Sequence, residues 1–187
     1  MKKIIVVFFT LACLFCLLTA CSANESNETI EFSFDANGNY AGFTTLPANY
    51  TIEDAQKDGC FVTQDLDVMA NIDVWDNFVK TASKGNNASI RRVLFFEEDS
   101  NSPYFNDLFF NEGHYYLFDS SSEDQEKHPF LYLLTLKGEF GIPLQDSGVV
   151  VLTDDKSLTF DDIMQSMLSS DFNYIQSLSP YKLVMFQ

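Results

Sequence analysis

Between residues 90 and 137 the chain strings four runs of aromatic and branched residues, 90–97, 104–110, 114–119 and 130–137, separated by turn-forming residues. That spacing predicts an antiparallel meander. Alternation within the runs is the strongest constraint on the fold. Phe130, Tyr132, Leu134 and Leu136 fall on one face of their strand with Leu131 and Leu133 on the other, and Tyr104, Leu108 and Phe110 are opposed by Phe105 and Phe109. A sheet with one wet face alternates apolar with polar residues, so a sheet that is apolar on both faces must be covered twice or present an aromatic binding surface. The expectation is cover on both sides, by helices on one face and the N-terminal segment on the other. Asn111-Glu112-Gly113-His114 makes a tight turn that sets Phe110 opposite Tyr115 and Leu108 opposite Leu117.

Further elements flank the meander. Thr51-Ile52-Glu53-Asp54 reads as a capping box for a short helix over residues 52–58, which Gly59 stops. Short strands are expected at 60–63 and 66–69. Ile72, Trp75, Phe78, Val79 and Ala82 form a helical stripe over 72–84, with Asn71 as cap and Asp76 with Lys80 as an i,i+4 pair. Residues 31–34 and 40–43 flank an Asn37-Gly38 turn and suggest a hairpin. Residues 148–153 add a strand, and Thr159 caps a second helix whose stripe is Phe160, Ile163, Met164, Met167 and Leu168. A last strand spans 181–186 after Pro180. The predicted fold class is α+β: an antiparallel meander of about five to six strands packed with two to three helices, in one domain over residues 30–187.

The N-terminus carries an address. Lys2 and Lys3 precede an uncharged run over residues 4–18, the layout of a secretory signal. As a helix that run reaches only ~23 Å, short of the roughly 20 residues a bilayer span needs. Leu18-Thr19-Ala20-Cys21 resembles the lipobox of bacterial lipoproteins; the competing reading is an ordinary signal peptide with a chance cysteine. The resemblance implies that a diacylglyceryl group joins the Cys21 sulfur and that a peptidase, recognising Leu18, Thr19 and Ala20, cuts before it. Two acyl chains give stable anchoring where one gives marginal binding. Residues 22–29 are small and polar, and read as a tether. Cys13 and Cys16 leave with the signal, so Cys60 is the one cysteine left once Cys21 is lipidated, and it reads as a small buried hydrophobe. Loss of Lys2 and Lys3 leaves 9 basic residues against 27 acidic ones, a net charge of −18. Such a surface repels nucleic acid and anionic headgroups.

Sequence motifs for catalysis are few. The chain has no G-x-S-x-G, P-loop, G-x-G-x-x-G, H-E-x-x-H or paired C-x-x-C pattern, and nothing points to a cofactor. His114 and His128 fall at loop positions and read as solvated side chains. With Cys60 they offer too few and too scattered ligands for zinc. Asp35-x-Asn37-x-Asn39 begins like an EF-hand loop, but its glycine stands at the fourth position and Leu46 at the twelfth. The acidic loops 97–101 and 119–124 are weak calcium candidates. Asp154-Asp155 and Asp161-Asp162 read as turn and cap residues. Arg91 and Arg92, the only arginines, lie inside a strand and must face opposite sides of the sheet. Each is either an anion-binding group or paired with Glu97, Glu98 or a helix aspartate. Trp75 reads as core.

The stretch from Tyr50 to Cys60, with Trp75-Asp76-Asn77-Phe78 and Lys84-Gly85-Asn86-Asn87-Ala88-Ser89-Ile90-Arg91, resembles a group of small uncharacterised lipoproteins and secreted proteins of Firmicutes. The resemblance covers residues 50–137 and implies a Gram-positive host, with the lipid in the outer leaflet of the cytoplasmic membrane, but no activity. The expected function is that of a membrane-anchored extracytoplasmic lipoprotein, a non-enzymatic module for an envelope protein or small ligand. The alternative is an envelope hydrolase using a carboxylate pair.

Overall fold

The computed structural model describes residues 30–47 and 49–187. The export signal, Leu18 to Cys21 and the tether lie outside them. The chain is α+β. Helices α1 (Ile52–Lys57), α2 (Ile72–Ala82), α3 (Phe160–Leu168) and α4 (Phe172–Ser177) accompany strands β1 (Phe61–Gln64), β2 (Asp67–Ala70), β3 (Ala88–Phe96), β4 (Asp99–Asn111), β5 (His114–Asp119), β6 (Tyr132–Phe140), β7 (Gln145–Thr153) and β8 (Tyr181–Phe186). No helix among the described residues is long and apolar enough to cross a membrane.

The strands form two sheets rather than one meander. The larger has the order β2-β1-β3-β4-β5, antiparallel except where β1 lies parallel to β3; the smaller is antiparallel, β6-β7-β8. The break falls between β5 and β6, where the strand pairing is reduced to the isolated bridge of Tyr115 with Phe130, two residues ahead of β6. Ten residues separate Asp119 from Phe130 in an irregular loop rich in Ser, Asp, Glu and His residues, too polar to extend the sheet. The β4–β5 turn is as the sequence predicts: Phe110 faces Tyr115 and Leu108 faces Leu117.

Both faces of the larger sheet are covered. On one, Phe61, Ile90, Leu108, Phe110 and Leu117 pack with Trp75, Phe78 and Ala82 of α2 and with Val150, Leu152, Val184 and Met185 of the smaller sheet. On the other, Val62, Val93, Phe95 and Phe105 meet Tyr50, Ala55 and Cys60. Next to them Phe109 and Phe118 lie under Ile30, Phe32, Phe34, Tyr40 and Phe43. The N-terminal segment is therefore a cover, although the expected hairpin shrinks to a single bridge between Phe34 and Tyr40. Tyr40 stacks on Phe118 at 4.2 Å between centroids, and Phe32 tilts against Phe109 at 4.9 Å. Aromatic pairs of this kind add about 0.5–1.5 kcal/mol each beyond the area they bury. Gly42 permits that stack, because a Cβ there would fall 2.1 Å from the Tyr40 hydroxyl.

The α1 and α3 caps form as expected. Thr51 with Asp54, and Thr159 with Asp162, make reciprocal capping boxes. Asn71 does not cap α2; it sits at φ 58° without a side-chain cap bond. Its Nδ2 instead donates to the Gln56 and Cys60 carbonyls, tying α1 to the α2 entry. Asp76 and Lys80 do not join: the ion pairs among the described residues are Arg91 with Asp107 and His128 with Asp124. The free face of the smaller sheet is covered by Leu158, Phe160 and Ile163.

Close packing at α3 depends on Gly138 of β6, where a Cβ would lie 2.2 Å from the Phe160 ring. Gly138→Ala is expected to destabilise the protein by about 1–3 kcal/mol, the usual cost of overpacking. Urea unfolding measures this, and stability equal to the parent would contradict it. Acid acts on the turns and caps. Hydrogen bonds from Thr159 hold Asp162 below the ordinary carboxylate range, Ser157 does so for Asp155, and the Asn39 N–H for Asp35. A carboxylate lowered on folding contributes stability above its unfolded pKa and loses it as pH falls through the folded value. The melting temperature is therefore expected to decline as pH drops below about 4. A flat profile from about pH 5 to about pH 2 would contradict that.

Candidate functional site

Arg91 and Arg92 lie side by side on β3, so the strand period sends them to opposite faces. Arg91 points under the N-terminal segment. Its Nε donates to Asp107 Oδ1 at 2.7 Å and its Nη2 to Asp107 Oδ2 at 2.6 Å, a bidentate pair between directly opposed residues of β3 and β4. Nη2 also donates to the Gly42 carbonyl at 3.1 Å, and the Tyr40 hydroxyl donates to Asp107 Oδ2 at 2.7 Å. Asp107 is fully buried, its two oxygens taking three hydrogen bonds. Burial alone would lower the Arg91 pKa, but the Asp107 hydrogen bonds and charge outweigh it and raise it above the ordinary value. Burial, then the Asp107 charge, push the Tyr40 hydroxyl well above its ordinary value.

Arg92 faces the smaller sheet. Its Nε donates to Thr63 Oγ1 at 3.0 Å and its Nη1 to the Val184 carbonyl at 2.9 Å. No carboxylate pairs with it, and burial brings its pKa down to about 10, partly offset by the charge of Asp119. The partner expected for either arginine, Glu97, Glu98 or a helix aspartate, is replaced by Asp107 in one case and by neutral oxygens in the other.

Beside the Arg91 network opens a cleft of about 450 Å³, within the usual range for small-molecule sites. Asn77 and Thr81 of α2 line one wall, and Asn87, Ser89 and Asn111 the rim of the sheet. Phe78, Ile90 and Phe110 lend the floor its apolar character. Asp58 and Cys60 form the end nearest α1. There the Tyr50 hydroxyl donates to Asp58 Oδ2 at 2.7 Å and lies 3.9 Å from Cys60 Sγ. Burial, then the Asp58 hydrogen bond, raise the Tyr50 pKa well above its ordinary value. Asp58 is the one acidic residue lining the cleft, and Arg91, its one base, is already neutralised by Asp107. The arrangement suits an uncharged, hydrogen-bonding ligand with an apolar body. It does not bring two carboxylates into opposition as a glycosidase requires.

The remaining sequence candidates lie elsewhere. His114 sits at the β4–β5 turn, and His128 pairs with Asp124 at 2.9 Å on the surface. Cys60 and Trp75 are buried. Asp35 Oδ1 accepts the Asn37 and Asn39 N–H groups, so the loop resembling an EF-hand closes on itself as a turn. Asp119 Oδ1 likewise accepts from the N–H and hydroxyl of Ser121. The described residues hold no cluster of three or more His, Cys, Asp or Glu suited to a metal ion. Sequence reasoning missed Asp107, Tyr40, Tyr50 and Asp58. For Asp107 a signal existed, an acid on an otherwise aromatic strand. No family model, curated protein or solved structure matches the chain.

Asp107→Ala is expected to cost about 3–5 kcal/mol, because it leaves the Arg91 charge buried without a counter-charge. Tyr40→Phe, which removes one hydrogen bond of the same network, should cost about 0.5–1.5 kcal/mol. Denaturant unfolding of both variants checks the order; equal losses would show that the ion pair is not the dominant member.

Proposed function

We propose that this chain is an extracytoplasmic lipoprotein, held to the membrane by lipid on Cys21, whose folded part is a non-enzymatic binding module. The observation that carries the reading is Leu18-Thr19-Ala20-Cys21 placed directly after a basic start and a short apolar run. Charge supports it: a mature chain of −18 cannot use basic residues to hold an anionic surface, so attachment falls to the acyl chains. The cleft between α2, β3 and β4 supports the binding part, with neutral donors and acceptors around an apolar floor and a single carboxylate. Thr81, half-buried on the cleft wall of α2, is where a large side chain would fill that cleft.

Two measurements test the reading. Cys21→Ser is expected to move the protein out of the membrane fraction and abolish incorporation of labelled fatty acid; a variant that stays lipid-labelled would refute the anchor. Capture of envelope extract at low salt by the processed protein should yield a ligand or partner that Thr81→Trp no longer holds. Recovery of nothing by the parent, or equal recovery by Thr81→Trp, would count against a binding site in the cleft.

A further inference from the structure

The β6–β7 ladder runs beyond its neighbour. β8 ends opposite Val149, with Gln187 still bonded to Gly148, but β6 and β7 continue to pair through Gly138 with Ser147, Glu139 with Asp146 and Phe140 with Gln145. Gly138 still lies under the Phe160 ring, so two rungs and a turn stand clear as a two-stranded arm, roughly 7 Å of paired strand at about 3.4 Å per residue. Its end is Phe140-Gly141-Ile142-Pro143-Leu144, without a charged or hydroxyl side chain. Ile142 is fully exposed, Leu144 66% and Phe140 43%. Glu139 and Asp146 face each other as the rung directly below Phe140, and Lys137 stands at the base, opposite Gly148.

We propose that this turn is a bilayer-contact tip, inserting Phe140, Ile142 and Leu144 into the lipid surface to which Cys21 tethers the chain. The proposal rests on the anchoring reading above. Three observations select lipid as the occupant. The apolar side chains project from a convex end, and with Phe140 and Leu144 only partly exposed the three of them, even doubled for two facing copies, fall short of the ~1,200 Å² total that a stable dimer buries. Pro143 has no N–H, so the turn takes one donor fewer into a medium that cannot satisfy it. The apolar tip beyond the Glu139–Asp146 rung, one rung and its turn, is of the order of the ~5–10 Å depth to which interfacial segments bury their apolar side, so insertion stops with Glu139 and Asp146 at the level of the headgroups and Lys137 farther out.

Tether length makes a small tip sufficient. Eight residues separate Cys21 from Ile30 and extend at most ~30 Å, about the diameter of the domain. Confinement on that scale turns insertion into an intramolecular step at millimolar effective concentration, so weak insertion is enough to orient the domain. The acidic surface opposes the approach to anionic lipid, so contact is stronger with zwitterionic lipid at low salt.

The test uses the full processed chain carrying Ile142→Trp, incorporated in phosphatidylcholine vesicles with brominated acyl chains. Trp75, buried in the core, is the internal reference. The added tryptophan is expected to emit to the blue of its vesicle-free position and to lose most of its emission to the bromines. A further Leu144→Asp should restore that emission with unchanged melting temperature and the lipid still on Cys21. Water-like, unquenched emission from a chain whose intact mass includes the lipid overturns the tip and leaves the anchor standing. A mass without lipid overturns the anchor alone; the unlipidated chain is then mixed with excess vesicles, where quenching supports the tip and its absence overturns it. Shielding of the tryptophan without lipid, together with dimerisation in sedimentation, overturns the proposal in favour of a second copy of the chain.

Discussion

The architecture follows from a sheet that has no wet face at its centre. β3 and β4 present Ile90, Leu108 and Phe110 to one side and Val93, Phe95, Phe105 and Phe109 to the other, all of them buried. Neither set can be left in water at roughly 25 cal/mol per Å² of apolar surface. The chain meets this with unlike materials. α2 and the β6-β7-β8 sheet cover one side, while α1 and the nearly strandless residues 30–43 cover the other. An N-terminal segment with little regular structure is therefore part of the core, held by aromatic contacts instead of a hydrogen-bonded ladder.

Two adjacent arginines resolve the same problem in opposite ways. Arg91 brings its charge under the N-terminal cover and meets a buried carboxylate with two short bonds, and Tyr40 supplies the third. Such a pair gives little net stability over an apolar replacement but is costly to break from one side. Its value lies in direction: an apolar cover could slide, whereas Gly42 and Tyr40 must return to fixed positions. Arg92 has only neutral acceptors, and its lowered pKa measures what it costs to keep a guanidinium charged between two sheets. Near neutral pH both side chains remain protonated, so both act as fixed charges.

Local chemistry was legible in the sequence and long-range pairing was not. Both capping boxes and the β4–β5 register follow from residues within a turn or two of one another, and each forms as read; the α2 stripe holds at Trp75, Phe78 and Ala82 but leaves Ile72 exposed. The bounds of β5 and β8 also agree. The division into two sheets was hidden because alternation shows that a strand is buried, not which neighbour buries it. β1 pairs parallel to β3 across a helix, a contact that no local pattern encodes. Asn71 looked like a cap by residue type, but tertiary acceptors, Gln56 on α1 and Cys60 just beyond it, took its side chain. The cleft was illegible for the same reason: Asp58, Asn77, Ser89 and Asn111 are unremarkable polar residues until the fold brings their segments together. The acid in the aromatic half of β4 was different, since Asp107 amid aromatic residues needed a cation and Arg91 stood on a neighbouring run.

The Arg91-Arg92 dipeptide also fixes how the molecule bears load. Arg91 holds the Gly42 carbonyl near the start of the fold, and Arg92 holds the Val184 carbonyl near its end. A pull at Ile30 first peels Phe32 and Phe34 from Phe109, Tyr116 and Phe118, contacts that yield one at a time. It then meets Tyr40 and Gly42, where force is shared at once between Asp107 and Arg91 and passes along β3 to the C-terminal strand. The segment therefore behaves as a soft spring in series with a stiff clamp: tension applied at Ile30 lengthens residues 30–39 before it strains either sheet.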